Sequence, residues 1–153
     1  MKILITGATG YVGRRVVKQL ITQLVDVEIM TLNRNVEKAI NLMPYEECKH
    51  VDITNLDEAV KQFMPEICLH LATLSTSRND KDIIEPIIDA NIVFGVKLLN
   101  AIKEVGSLKL FINTGSFAEY REGIECGFKD AYLYTATKSA FRHFVEYYAT
   151  LSG

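Results

Sequence analysis

Short apolar runs alternate with longer amphipathic stretches along the whole of this 153-residue chain. The short runs at 2–6 (KILIT), 27–32, 48–53, 67–72 (ICLHLA) and 108–113 have strand length. Between them lie patterns of helical period. Residues 11–24 carry Val12, Val16, Val17, Leu20, Ile21 and Leu24 at helical spacing. A weaker helix is expected over 36–42, closed by Pro44, and another over 56–63, capped by Thr54 or Asn55. A long one is expected over 82–105, with Pro86 in or at the start of its first turn and Gly106 as its stop. A last helix is expected over 131–151. Five strands alternating with helices predict an α/β fold, a doubly wound parallel sheet covered on both faces, because crossovers between parallel strands are right-handed.

The sharpest local feature sits in the first strand-to-helix connection. Gly7-Ala8-Thr9-Gly10-Tyr11-Val12-Gly13 puts a glycine at every third position. Glycines there permit a tight turn, close backbone approach to an anion and close packing of helix on strand. The following helix start offers free N–H groups and the positive end of its dipole to a pyrophosphate. An acidic residue some 20 positions further would hold the ribose 2′-hydroxyl of NAD. That region holds Asn33 and Arg34 instead. A neutral Asn does not repel a 2′-phosphate, and Arg can bind one, so NADP is expected ahead of NAD. The plain alternative is an Arg34 that stacks on adenine or faces solvent.

Composition excludes several classes. The chain is 48% hydrophobic and 24% charged with a net charge of -2, which fits one ordinary globular domain and no polyanion partner. Nucleic acid is therefore not expected as a partner. No apolar run approaches the ~18 residues of a membrane helix, and the glycine-broken N-terminal run is not a signal peptide. Cys48, Cys68 and Cys126 fit neither a disulfide scaffold nor a zinc pattern and are expected as reduced thiols in a cytoplasmic protein, with no metal site.

Tyr134-x-x-x-Lys138 puts a phenol and an ammonium on one helix face, one turn apart. Tyrosine, with an ordinary pKa near 10, is a poor base at neutral pH, and a neighbouring Lys⁺ favours its phenolate. The spacing alone is unspecific, since Tyr45-x-x-x-Lys49 matches it too. That second pair lies just after Pro44, away from the carboxyl ends of the strands, and is set aside.

These motifs together resemble the short-chain dehydrogenase/reductase superfamily, and TGATGYVG resembles its extended branch, the NAD-dependent epimerase/dehydratase family. The likeness runs over the whole chain. It implies a Rossmann-like sheet of order 3-2-1-4-5. It implies cofactor contacts from Gly7, Thr9, Gly10, Tyr11, Val12, Gly13, Asn33 and Arg34. Asp52-Ile53 resembles the family's adenine-contacting pair. His70-Leu71-Ala72-Thr73 resembles the segment ending the fourth strand, with Leu71, Ala72 and Thr73 beside the cofactor and His70 itself expected as a packed strand residue. Asn91, four before Gly95, resembles the asparagine of the following helix. Thr114-Gly115-Ser116, with Tyr120 four residues on, resembles the family's substrate-oxygen segment. Ser116 is then the expected donor, with Thr114 as the alternative. Lys138 would also hold the nicotinamide ribose.

The resemblance implies an NAD(P)-dependent sugar-nucleotide epimerase or 4-keto-sugar reductase with Ser116, Tyr134 and Lys138 as catalytic residues. The alternative is a non-catalytic dinucleotide-binding module or redox sensor. Phe117-Ala118 stands where the family's dehydratases carry Asp-Glu, which disfavours dehydration, and the usual Pro before the catalytic Tyr is absent. Family members of this branch are about twice as long, so residues 1–153 are expected to be the N-terminal NAD(P)-binding domain of a longer enzyme, ending before the substrate-binding part and inactive alone. A natural truncation is the other reading. The fifth strand is then expected to be a sheet edge. A homodimer through the two long helices is also implied, with Phe141, Phe144, Tyr147 and Tyr148 either in that seam or packed on the sheet.

Overall fold

Lys2–Thr6 forms β1, and its last four residues are buried. Parallel strands need apolar side chains on both faces, and Ile3, Leu4 and Ile5 supply them. The computed structural model, which describes residues 1–119 and 132–151, continues with α1 (Tyr11–Gln23), β2 (Glu28–Asn33), α2 (Val36–Leu42) and β3 (Cys48–Asp52). A 3₁₀ turn leads to α3 (Leu56–Phe63) and β4 (Ile67–His70). Then come α4 (Lys81–Ile88), a π-helical segment (Asp89–Val93), α5 (Phe94–Val105), β5 (Leu110–Asn113), a 3₁₀ turn (Phe117–Glu119) and α6 (Leu133–Leu151).

The five strands join in one sheet of order β3-β2-β1-β4-β5. β1 runs parallel to β2 and β4, and β2 runs parallel to β3. The expected topology is therefore present, with β5 at one edge. Leu110 and Ile112 of that edge are exposed. The register brings the carboxyl ends of neighbouring strands level: Thr6 pairs with Leu32 and His70, and Asn33 pairs with Asp52.

The chain divides into two units. The first is Met1–Ala72 with Ala101–Ile112, and the second is Thr73–Asn100 with Asn113–Gly153. In the first, Ile3, Ile5 and Ile29 pack with Val17 of α1 and Ala39 of α2, while Leu20, Ile21, Ile67 and Leu69 border this cluster. The opposite strand faces are sealed too, since Leu4, Met30 and Cys68 are fully buried. Glu66 ties three strands at their amino ends. Its carboxylate accepts from Lys2 N (2.9 Å) and Lys109 Nζ (2.6 Å), and its carbonyl accepts from Lys109 N (2.7 Å). In the second unit, Phe141 of α6 is buried with its ring edge where a Cβ on Gly95 would stand, 2.3 Å away. Phe141 is thus core, while Phe144 and Tyr147 are exposed on α6.

Three local features depart from expectation. Pro86 lies in the second turn of α4, which begins at Lys81 behind an Asp80 cap, and not in the first turn. The expected single helix over 82–105 is interrupted by the π-helical segment, one wider turn that carries Asn91. α3 follows Asn55, but neither expected side chain caps it; Asp52 instead caps the 3₁₀ turn by accepting from Thr54 N at 2.8 Å.

Candidate cofactor and catalytic site

Residues singled out by the sequence fall into two sets, one in each unit. In the first unit, β1 delivers the chain to Gly7, whose φ is +70°. A Cβ there would lie 2.6 Å from Ala72 N, so glycine serves both the left-handed backbone and the close approach of the β4 end. Thr6 Oγ1 accepts from Ala72 N (3.2 Å) and is 2.8 Å from His70 Nδ1. His70 is buried, with its ring stacked 6.1 Å from Phe111. The turn closes when Gly10 N donates to Gly7 O (3.0 Å). A Cβ on Gly13 would stand 2.5 Å from the same carbonyl, so α1 starts pressed against the turn.

Gly10 caps α1 by backbone alone, and no acidic side chain occupies the first turn. The N–H groups that every helix start leaves unpaired, and the positive dipole end, are thus uncompensated by a side chain. Exposed Tyr11 and Val12 flank them, Thr9 is half-buried, and the Arg15 guanidinium lies 3.7 Å over the Tyr11 ring. An anion is what such a turn accepts.

Beside it, Asn33 ends β2 almost fully buried, and Arg34 is exposed. Asn33 Nδ2 donates to Thr31 O (2.9 Å) and Thr31 Oγ1 (2.8 Å). Thr31 Oγ1 lies 2.7 Å from His50 Nδ1, and His50 Nε2 lies 2.9 Å from Met43 O. Asp52, at the end of β3, accepts from both Thr54 N and Thr54 Oγ1 (2.6 Å), which hold its carboxyl below the usual carboxylate range. Ile53 follows it, half-buried, and Leu71 and Ala72 are half-buried at the end of β4.

In the second unit, Asn91 is buried and fully engaged. Its Oδ1 accepts from Leu74 N (2.6 Å) and Thr73 Oγ1 (3.1 Å). Its Nδ2 donates to Leu74 O (3.2 Å) and Thr137 Oγ1 (2.9 Å). Asn91 therefore clamps residues 73–74 to the turn of α6 that carries Lys138. Tyr134 is the second residue of α6, half-buried, with Lys138 one turn on and 4% exposed. Burial lowers the Lys138 pKa, while the nearby Glu119 charge pulls it up.

Glu119 is the residue that the sequence reading missed. It is 3% exposed, and its Oε1 accepts from Ser116 N at 2.5 Å. Glu119 N in turn donates to Ser116 O (3.2 Å), closing the turn in both directions. The signal was there: Ser116-x-x-Glu119 has capping-box spacing. Thr114 and Ser116 are both half-buried in this segment. Tyr120, Cys126 and the expected helix start at Ala131 lie outside the described residues. The rejected pair sits elsewhere: Tyr45 packs under the first unit's core, and Lys49 is exposed on β3. Cys48 and Cys68 are free thiols that burial pushes up, Cys48 to about 11. No group of metal-ligating side chains gathers among the described residues, and none of their helices is long and apolar enough to cross a membrane.

A family model, the NAD dependent epimerase/dehydratase family, matches residues 3–153. The chain belongs to that family. Among similar family proteins is the UDP-glucose 4-epimerase of Mycoplasma pneumoniae, 27% identical over 119 residues, which are 74% of this chain and 35% of that protein. The dTDP-glucose 4,6-dehydratase of Salmonella typhimurium is 30% identical over 118 residues, 70% of this chain and 32% of the relative. The fold is shared with UDP-glucuronic acid 4-epimerase from Bacillus cereus in complex with UDP-glucuronic acid and NAD. That match has a TM-score of 0.82 at 22% identity, over 98% of this chain and 52% of the other. It is shared too with the Thermus thermophilus UDP-glucose 4-epimerase complex with NAD, at a TM-score of 0.78 and 23% identity. The chain spans about a third of the length of these sequence relatives and about half of these structures.

Proposed function

We propose that this chain is the dinucleotide-binding part of a sugar-nucleotide 4-epimerase or 4-keto-sugar reductase that transfers hydride with Tyr134 as acid and base. The observation that carries the reading is Lys138, a buried lysine only 4% exposed and one turn beyond Tyr134 on α6. A lysine is almost never buried so deeply unless it is paired, and the Glu119 carboxylate supplies the opposing charge. The lysine charge favours the phenolate that a tyrosine otherwise forms only near pH 10.

In this reading the glycine turn and the α1 N-terminus bind the dinucleotide diphosphate. Asn33, Arg34, Asp52 and Ile53 bind its adenosine half, and the dinucleotide is NADP or NAD; the Arg34 charge suits a 2′-phosphate. Leu71, Ala72 and Thr73 line the cofactor, and Asn91 holds Thr73 in place. When bound, the nicotinamide ring accepts or returns a hydride. Ser116 donates a hydrogen bond to the substrate oxygen that becomes a carbonyl. Tyr134 takes the proton of that hydroxyl as hydride leaves its carbon, and gives a proton back in the reverse direction. Phe117-Ala118 supplies no acid for elimination of water, which favours epimerase or reductase over dehydratase. The substrate is a nucleotide-activated sugar, and the active form is a cytoplasmic homodimer through α4–α5 and α6, where exposed Phe144 and Tyr147 are available.

The test is Tyr134→Phe in the full-length protein. Turnover of nucleotide sugars such as UDP-glucose is expected to fall at least ~10²-fold while NAD(P)H binding, read by fluorescence, is kept. Unchanged turnover overturns the catalytic reading. Binding with no turnover in the parent protein favours a dinucleotide-binding module or redox sensor.

A further inference from the structure

Among the described residues, Glu119 and Lys138 are the only Asp, Glu, Lys or Arg that are buried. They have opposite charge, and the 3₁₀ turn that carries Glu119 packs on α6, which carries Lys138. Glu119 has a second engagement. Its Oε1 accepts from Ser116 N at 2.5 Å, and a Cβ on Gly115 would stand 3.1 Å from the same oxygen. The carboxylate therefore lies against the Gly115–Ser116 backbone. Closing such a turn requires only an acceptor, and glutamine serves there as glutamate does. Burying a charge costs far more than burying an amide unless an opposite charge answers it. The turn thus accounts for the oxygen of Glu119 and not for its charge.

Lys138 accounts for the charge. Burial pulls the lysine's proton affinity down, and Glu119 is the one charge among the described residues that pulls it up. Lys81, Asp82 and Glu85 of α4, Asp89 of the π-helical segment and Lys97 of α5 are all exposed. Neither these nor Tyr134 and Arg142 on α6 itself act on it. We infer that Glu119 is a positioning residue: the same carboxylate fixes the backbone of Ser116 and stands as the counter-charge that keeps Lys138 an ammonium beside Tyr134. One side chain then sets both the hydroxyl that orients the substrate oxygen and the charge that favours the phenolate. The two tasks separate chemically, since the first needs an acceptor and the second needs a charge. The inference rests on the catalytic reading above and adds a residue that governs its pH range.

Two substitutions test it. Glu119→Gln keeps the acceptor and removes the charge, whereas Glu119→Ala removes both. In the 153-residue chain, NMR titration of the Lys138 side chain is expected to show its midpoint at lower pH in both variants. Hydrogen exchange at Ser116 N–H is expected to accelerate about tenfold or more in Glu119→Ala and clearly less in Glu119→Gln. In the full-length protein, with a nucleotide sugar such as UDP-glucose, the high-pH fall of kcat is expected to move to lower pH in Glu119→Gln with KM little changed. A Lys138 midpoint unmoved by Glu119→Gln, a Ser116 exchange rate unmoved by Glu119→Ala, or a pH profile that Glu119→Gln leaves in place overturns the inference. If Glu119→Ala fails to fold, the midpoint and the pH profile of Glu119→Gln decide alone. A full-length parent without turnover overturns the catalytic reading; the Lys138 midpoint and the Ser116 exchange rate then still decide whether Glu119 couples the two residues.

Discussion

A Cβ on Gly7 would stand 2.6 Å from Ala72 N and 2.7 Å from the Leu71 carbonyl carbon, on a backbone at φ +70°. Neither neighbour is a side chain that can swing away. Gly7→Ala is therefore expected to destabilise the fold by about 1–3 kcal/mol in urea unfolding, and to weaken NADH binding further than that loss of stability explains. This position was legible in the sequence because only glycine meets both demands, and its spacing to Gly10 and Gly13 reflects one turn of backbone. Asn33 was legible only in part. Its neutrality can be read from the letter, but its orientation depends on Thr31 and on His50, a residue 19 positions beyond Thr31. No spacing rule connects a strand end to a histidine on the next strand.

At the scale of elements, α6 carries a lysine that its surroundings disfavour as a cation. Burial lowers the Lys138 pKa from 10.5 in the folded chain, with Glu119 partly restoring it. Between that lowered value and 10.5 the unfolded chain binds more protons than the folded one, so stability rises with pH across the window. Below the window both states are protonated, and the burial penalty is at its full size. Urea midpoints measured against pH are expected to show this rise, and Lys138→Met to lack it. Glu119→Gln, which removes the opposing charge, is expected to extend the rise to lower pH. Strand and helix boundaries were mostly legible, since α2 and α3 fall where their periodicity puts them. The π-helical segment was not. Ile87, Asn91 and Gly95, buried before, within and after this segment, keep the four-residue spacing that an α-helix shares, so the pattern does not record the wider turn. What fixes it is Asn91, whose amide reaches Leu74 and Thr137 at once.

For the molecule as a whole, the sheet order was legible from the alternation of elements together with a family likeness; neither alone fixes it. The order has a kinetic consequence. β1 reaches β2 after a single crossover, but its pairing with β4 joins Thr6 to His70, 64 residues apart. Closing that larger loop costs more chain entropy before any contact repays it. The unit β1–α1–β2 is thus expected to assemble in the rate-limiting step and β4 to dock afterwards. In stopped-flow refolding, Ile29→Val in β2 should then slow folding, whereas Cys68→Ala in β4 should leave folding near its parent rate and speed unfolding. The reverse pattern would mean that the centre of the sheet, and not its first crossover, is the nucleus.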